Sequence, residues 1–221
     1  MVGYHASVTI TQALLSFAAV AALLTIIPGM DTAMVLRSAI SQNRRHAYAT
    51  ALGINSGAMV WGIAAAVGAS ALLAASETAF TVLKLVGAAY MVWLGASLLW
   101  KSFRTPAVPA PDTGAFPVPR GGSLLASWAK GTGTNLLNPK VGVFYIAMIP
   151  QFIPDEAAPL LMGIALAAVH NLLGLLWFTG IIFGTHVARK WLRTPKVAKT
   201  MDRITGTVMI GFGTALALET R

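Results

Sequence analysis

Long apolar runs divide the chain, and each is close to the length of a membrane-spanning helix. A hydrocarbon core about 30 Å thick takes about 20 helical residues to cross. Six charge-poor runs of about this length occur, at residues 8–27, 47–69, 78–100, 135–153, 159–183 and 198–218. The last is the weakest, because Lys199, Asp202 and Arg203 occupy its first turns. The pattern therefore predicts an all-α integral membrane protein with six transmembrane helices in the lipid bilayer.

The composition agrees with a membrane protein and argues against several other classes. Of the 221 residues, 56% are hydrophobic and only 10% are charged, whereas soluble domains carry roughly 25% charged residues. The formal net charge of +9 does not indicate nucleic-acid binding, because the basic residues cluster between apolar runs rather than on one polar face. The chain has no cysteine, which excludes disulfides, thiolate metal sites and thiol redox chemistry.

The positions of the basic residues predict the orientation in the membrane. Short cytoplasmic loops retain Lys and Arg. These residues occur in the first, third and fifth loops: Arg37, Arg44, Arg45, Lys101, Arg104, Arg120, Lys130, Arg189, Lys190, Arg193, Lys196 and Lys199. The second loop has only Glu77, and the fourth has only Asp155 and Glu156. We therefore expect the odd loops in the cytoplasm and both termini outside.

A proline-rich stretch in the middle of the chain separates two halves. Residues 105–122 contain five of the eleven prolines and read as an extended cytoplasmic linker. Residues 1–104 and 123–221 would then each hold three spans. Aligning Pro28 with Pro139, and VGAAYMVWLGA (86–96) with TGTVMIGFGTA (205–215), gives a weak internal similarity. Because three is an odd number, the second half would be inverted relative to the first, as in many transporters.

Each half has a proline that interrupts an apolar run next to a charged residue. Pro28-Gly29 precedes Asp31, which is the only carboxylate among the first 76 residues, and Pro139 directly precedes Lys140. Proline frees backbone carbonyl groups, and such breaks persist in a membrane only inside protein or beside a watery cavity. Charges at this depth cost roughly 2.5–3.5 kcal/mol each on insertion scales. We therefore expect both side chains to have partners or water.

Two interpretations of the charged residues remain open. Asp31 could be the N-cap of a helix that begins near Thr32, or it could form a structural ion pair with Lys140. Alternatively, the two could be opposite poles of a site for a zwitterion, with Asp31 meeting an ammonium group or a proton. Lys140 or a helix N-terminus would then meet the carboxylate. In that interpretation, Asn55 and Asn138 also line the pathway.

Other polar residues within the runs are weaker candidates. Gly53 and Gly57 flank Asn55 in GINSG, and their spacing favours close helix packing. Gln151 lies near the outer end of the fourth run, where it could simply be interfacial. His170 and Asn171 lie together in the fifth run. A histidine there could relay protons because its pKa is ordinarily near neutrality, although a packing role is the commoner one.

We find no enzyme motif and no nucleotide-binding motif in the sequence. HExxH, GxSxG and GxxxxGK[ST] are absent, so we expect neither an enzyme nor a cofactor or metal requirement. Any active transport would have to use an ion gradient or an ATPase partner.

Several motifs resemble those of the LysE/RhtB family of amino-acid exporters. They are PGMD (28–31), RR (44–45), GINSG (53–57), LKLVGAAYMVWLGASLLW (83–100) and GTNLLNPKVGVFYIAMIPQFIP (133–154). The resemblance covers nearly the whole chain apart from the linker. It implies a six-span exporter of amino acids or close derivatives in the bacterial inner membrane, driven by protons. The family commonly has Pro-Gly-Pro-Asp, whereas Met30 replaces the second proline here, which makes this turn less rigid.

Three functional hypotheses follow from these observations. The leading one is a secondary exporter whose midplane site contains Asp31, Asn55, Asn138 and Lys140. We favour neutral substrates, such as threonine, homoserine or leucine, because a basic amino acid would need a second carboxylate. The alternatives are a non-transporting membrane scaffold and an ion exporter of the same fold. The helix faces rich in small residues are also compatible with a homodimer.

Overall fold

The computed structural model is built from helices. It describes residues 9–27, 29–104, 122–154, 156–185, 187 and 194–218, and this part of the chain contains no strand. The proline-rich linker, Pro28 and most of the predicted fifth loop lie outside the described residues. The helices are α1 (Ile10–Ile26), α2 (Met30–Ser41), α3 (Arg44–Ala75), α4 (Glu77–Arg104), α5 (Leu124–Leu136), α6 (Pro139–Met148), α7 (Pro159–Phe183) and α8 (Pro195–Leu218). A 3₁₀ turn, Ile149–Phe152, follows α6.

Short polar side chains define where several helices begin. Thr9 caps α1 in a capping box with Gln12. Asn43 caps α3 and Ser123 caps α5, each accepting a hydrogen bond from a backbone N–H in the first turn. Such caps satisfy donors that the first helical turn leaves free. The helix boundaries thus follow local sequence signals.

Among the described residues, three helices are long and apolar enough to cross a membrane: α3, α4 and α7. They correspond to the second, third and fifth predicted spans. Helices α1 and α2 meet the same criterion as a pair, with a bend of 56° between them. The sixth predicted span is helical as α8 but does not reach that hydropathy, because of the charges at its start.

The prediction for the fourth span was wrong in its boundaries. It placed one span at residues 135–153, with Lys130 in a loop before it. In the structure, α5 begins at Leu124 and contains Lys130. The helical conformation is interrupted at Leu137–Asn138, before α6 starts. The signal was missed because Lys130 and the polar residues around it interrupt the apolar pattern. The region is therefore two short helices joined at a break.

Glycines allow α3 and α5 to lie unusually close together. A Cβ on Gly53 would overlap the carbonyl group of Trp128, and a Cβ on Gly131 would overlap that of Thr50. The Thr132 hydroxyl also donates to the Gly53 carbonyl oxygen at 3.0 Å. The expectation that the GINSG glycines serve helix packing is therefore met by the geometry. Because of this close contact, the end of α5, just before the α5–α6 break, lies next to Gly57 of α3.

Helices α4 and α8 pack closely against each other. A Cβ on Gly95 would lie 2.5 Å from the Gly206 carbonyl oxygen, and one on Gly213 would lie 2.7 Å from that of Ala88. These contacts run in opposite directions along the two helices, so α4 and α8 are antiparallel. Near one end, the Arg203 side chain donates to the Ser102 hydroxyl at 3.1 Å. This pair covers one flank of the bundle with small-residue packing.

Candidate functional site

Two helix breaks lie beside each other in the bundle. One joins α1 to α2 around Ile27 and Gly29, and the other joins α5 to α6 at Leu137 and Asn138. Pro139 is the first residue of α6, a position where its missing N–H has no helical partner to lose. The predicted break at Pro28 falls on a residue outside the described part of the chain. Gly29, however, is the N-cap of α2.

Of the interpretations left open for Asp31, the N-cap is the one that the structure contradicts. Helix α2 begins at Met30, so Asp31 lies inside its first turn, and Gly29 precedes the helix without a side-chain cap. A carboxylate in this position is favourable for the helix dipole. Because the cap is a glycine, the Asp31 side chain is not engaged by its own helix terminus. It can therefore face another part of the molecule.

Both breaks open into one cavity of about 60 Å³, which has room for a few water molecules. Helices α1, α2, α3, α5, α6 and α7 all contribute to it. The lining residues are Leu24, Thr25, Ile27, Gly29, Asp31, Thr32, Ile54, Asn55, Ala58, Asn135, Asn138, Lys140, Val141, His170, Asn171, Gly174 and Phe178. Asp31, Asn55, Asn138 and Lys140, which the sequence had predicted to share one site, line this cavity together with Gly29, His170 and Asn171.

Asp31 is held by an asparagine that the sequence analysis did not select. The Asn135 side-chain amide donates to Asp31 Oδ2 at 2.9 Å, which joins α5 to α2. The other carboxylate oxygen, Oδ1, is buried and has no hydrogen-bond partner among the described residues. A buried oxygen of this kind is costly unless water or a ligand reaches it. One Asp31 oxygen is therefore hydrogen-bonded to Asn135, and the other has no partner at hydrogen-bond distance among the described residues.

Lys140 is held by the other helix break. Its ammonium group donates to the Ile27 carbonyl oxygen at 3.4 Å, so it contacts the segment where α1 ends. Its backbone N–H donates to the Asn138 side chain at 3.2 Å, which caps α6. The unpartnered Asp31 Oδ1 shows that the two charged side chains are not joined by a hydrogen bond through that atom. Each charge has its own partner within one cavity.

Two asparagines form a reciprocal pair between α3 and α7. The Asn55 side chain donates to the Asn171 carbonyl oxygen at 3.0 Å, and the Asn171 side chain donates to the Asn55 carbonyl oxygen at the same distance. Each amide nitrogen thereby has a hydrogen-bond partner inside the bundle, as partly buried polar groups usually do. The pair ties the two helices together at the level of the cavity.

His170 lies against an aromatic group rather than facing the carboxylate. Its Nδ1 is 2.8 Å from the Tyr145 hydroxyl, and the two rings stack with centroids 5.5 Å apart. This arrangement satisfies the packing interpretation, while the ring still lines the cavity. Gln151 does not line it. That residue lies half-buried in the 3₁₀ turn after α6.

Asn135 and Tyr145 were not among the residues predicted from the sequence. A signal for Asn135 was present, because GTNLLNPK places this second amide side chain just before the break at Pro139. Tyr145 had no such signal, since an aromatic residue in an apolar run is typical of a core. In the described part of the chain, no group of three or more His, Cys, Asp or Glu side chains could hold a metal ion.

The fold and site describe a helical membrane protein with a polar cavity at two helix breaks, which is an arrangement typical of transporters. The sequence matches the family profile described as LysE type translocator over residues 22–220. This chain belongs to that family, which confirms the resemblance seen in the motifs.

Individual relatives match over nearly their whole length. The uncharacterized membrane protein YrhP of Bacillus subtilis (strain 168) is 31% identical over 94% of this chain and 100% of its own. The threonine efflux protein of Escherichia coli (strain K12) is 30% identical over 87% of this chain and 91% of its own. The leucine efflux protein of Enterobacter sp. (strain 638) is 26% identical over 88% and 90%. No solved structure matches the chain.

Proposed function

We propose that this protein is a secondary exporter of amino acids across the bacterial inner membrane. The observation that carries the proposal is the cavity in which Asp31 and Lys140 meet at two helix breaks, each held by a different partner. A scaffold would need only a closed ion pair at this place. An open carboxylate oxygen and a separate ammonium group instead suit a ligand that has both charges.

The two poles would bind the two charged ends of a zwitterion. The substrate ammonium group would approach Asp31 Oδ1, which lacks a donor. The substrate carboxylate would meet Lys140 and the N-terminus of α2, whose first turn has no side-chain cap. Helix N-termini favour anions because their free N–H groups point at the ligand. Asn138 would support this arrangement by fixing the start of α6.

Neutral amino acids are the substrates that this site suits best. Asp31 is the only carboxylate in the cavity lining, so a basic side chain would find no second anion. Relatives are named threonine efflux protein, leucine efflux protein and homoserine/homoserine lactone efflux protein. Their names support the amino-acid class and leave its individual members to experiment.

Protons are the coupling ion that we favour. The sequence contains no nucleotide-binding motif, and Asp31 is a membrane carboxylate of the kind that relays protons in transporters. When the substrate ammonium leaves, a proton could take its place on Asp31. His170 is the other titratable group in the cavity besides Lys140, and its contact with Tyr145 favours a supporting role.

We further propose six spans arranged as two inverted repeats, with both termini outside and the linker in the cytoplasm. The N-caps Gly29 and Asn138 are 109 positions apart, and Asn55 and Asn171 are 116 apart. The reciprocal hydrogen bonds of the two asparagines are what a two-fold axis between the halves would produce. Offsets of similar size in each pair of spans support a common origin of the two halves.

The variant Asp31→Asn tests the proposal. It should lower export by roughly 30-fold or more, because losing a buried charge partner costs about 2 kcal/mol or more, while the protein still inserts. Export is measured as amino-acid release from cells loaded with dipeptides, normalised to membrane protein. Glu77→Gln is the matched control, since Glu77 is exposed at the start of α4. Normal export by Asp31→Asn would refute the role of Asp31.

A further inference from the structure

Part of the cavity wall is apolar and is distinct from the charged residues Asp31 and Lys140. Helices α3 and α7 supply this wall through Ile54, Ala58, Gly174 and Phe178, all of which line the cavity. Ile54 and Phe178 are buried members of one hydrophobic cluster, so their side chains are held by packing. A zwitterion bound by its charged ends at Asp31 and Lys140 would still have a side chain to place.

We propose that this α3–α7 wall is the subsite for the substrate side chain, and that Gly174 sets the size it accepts. The inference rests on the proposed function. The wall carries no charged group, so the side chain it receives is uncharged. Apolar contact with Ile54 and Phe178 would favour branched aliphatic side chains, since burying apolar surface is favourable.

Gly174 is the position where this wall has no side chain. A Cβ built there would lie 3.5 Å from Asn55 Oδ1 and 3.9 Å from Phe178 Cε2, and these are ordinary contact distances. A methyl group therefore fits without displacing its neighbours. It would occupy space at the cavity surface. This differs from the packing glycines of α3 and α5, where a Cβ would overlap backbone atoms.

The same position also adjoins the asparagine pair. Asn55 Oδ1 faces Gly174, while the Asn55 amide nitrogen is engaged with the Asn171 carbonyl oxygen. A hydroxyl group on the substrate side chain could donate a hydrogen bond to Asn55 Oδ1. An aliphatic side chain would instead fill the space beside Phe178. The subsite thus accepts both small hydroxylated and aliphatic side chains, with an upper limit on their size.

The test compares the release of leucine, threonine and alanine from dipeptide-loaded cells that express each variant. Gly174→Ala should lower leucine export relative to alanine export by about tenfold, because one methylene in a pocket typically changes discrimination by 10-fold or more. Gly174→Val should exclude leucine further. Gly180→Ala is the matched control on the same helix, since a Cβ there meets nothing within 4 Å.

Phe178→Leu gives a second, independent measurement. The smaller leucine side chain leaves more space in the subsite, so the ratio of leucine export to alanine export should rise. It decides the matter if Gly174→Ala does not reach the membrane.

The outcomes separate this inference from the proposed function. Wild-type protein that exports none of the amino acids would refute the proposed function itself. Wild-type export with an unchanged leucine-to-alanine ratio in both variants would refute the subsite alone. An equal fall for all three substrates in Gly174→Ala would also refute it, because that result indicates a role of α7 in packing or motion.

Discussion

We predict that Gly57 on α3 allows Asn135 to reach and position the carboxylate of Asp31. A Cβ on Gly57 would lie 2.8 Å from Asn135 Oδ1, 2.9 Å from Asn135 Cβ and 3.1 Å from the Thr132 carbonyl oxygen. Contacts under 3.0 Å are essentially never seen for real Cβ atoms. Gly57→Ala would therefore push the Asn135 side chain away from α3.

The size of this displacement can be worked from the distances. Ordinary contact begins at 3.4 Å, so the Asn135 oxygen would have to move by about 0.6 Å. If the amide moves as a unit and directly away from Asp31, its 2.9 Å hydrogen bond to Asp31 would lengthen to about 3.5 Å, beyond the usual range for such bonds, and would be weakened. A hydrogen bond to a charged group contributes about 1.5–3 kcal/mol. Export per folded molecule should fall by about tenfold or more.

The assay measures amino-acid efflux from loaded cells together with the amount and melting temperature of the purified protein. Overpacking by one methyl costs about 1–3 kcal/mol of stability, so the two effects must be separated. Gly68→Ala is the control, because Gly68 is on the same helix and a Cβ there meets nothing within 4 Å. In an Asn135→Ala background, Gly57→Ala should still lower stability but cost no further export per folded molecule.

Two results would refute this reasoning. Gly57→Ala could export as well per folded molecule as Gly68→Ala, which would mean that the contact with Asn135 does not position Asp31. Alternatively, the export defects of Gly57→Ala and Asn135→Ala could simply add. Independent effects add, whereas residues acting through one contact do not.

Two further predictions concern the contacts between helices. Asn55→Leu removes the donor to the Asn171 carbonyl oxygen and should destabilise the protein in detergent by about 0.6–1.7 kcal/mol, as hydrogen bonds between membrane helices do; an unchanged melting temperature would contradict it. Gly95→Ala places a Cβ 2.5 Å from the Gly206 carbonyl oxygen and should cost about 1–3 kcal/mol. Gly211→Ala on α8, where a Cβ meets nothing within 4 Å, should be neutral in the same melting experiment.

Local signals predicted much of the helical organisation. The apolar runs located α3, α4 and α7, because the length needed to cross a bilayer is a property of the run itself. Pro139 marked the start of α6, since proline is tolerated there and not deeper in a helix. The start of α5 was missed because its polar residues face other helices rather than lipid. The spacing of hydrophobic residues does not show that a polar residue is buried against another helix.

The sequence predicted which residues would share one site, but not the contacts that hold each of them. Asp31, Asn55, Asn138 and Lys140 were each selected because a polar group within an apolar run needs a partner. Which partner each has could not be predicted, since the contacts join residues more than 100 positions apart. Asp31 turned out to bond Asn135, and Lys140 to contact the end of α1.

The sequence by itself determined that this is a helical membrane protein with broken helices, a charged residue beside each break and the motifs of its translocator family. Those properties depend on residue type and spacing along one segment. Only the tertiary structure decided that both breaks open into one cavity, that Gly57 makes room for Asn135, and that Gly174 leaves space beside Phe178. Such relations depend on how closely helices approach, and that distance is set jointly by small residues on separate segments.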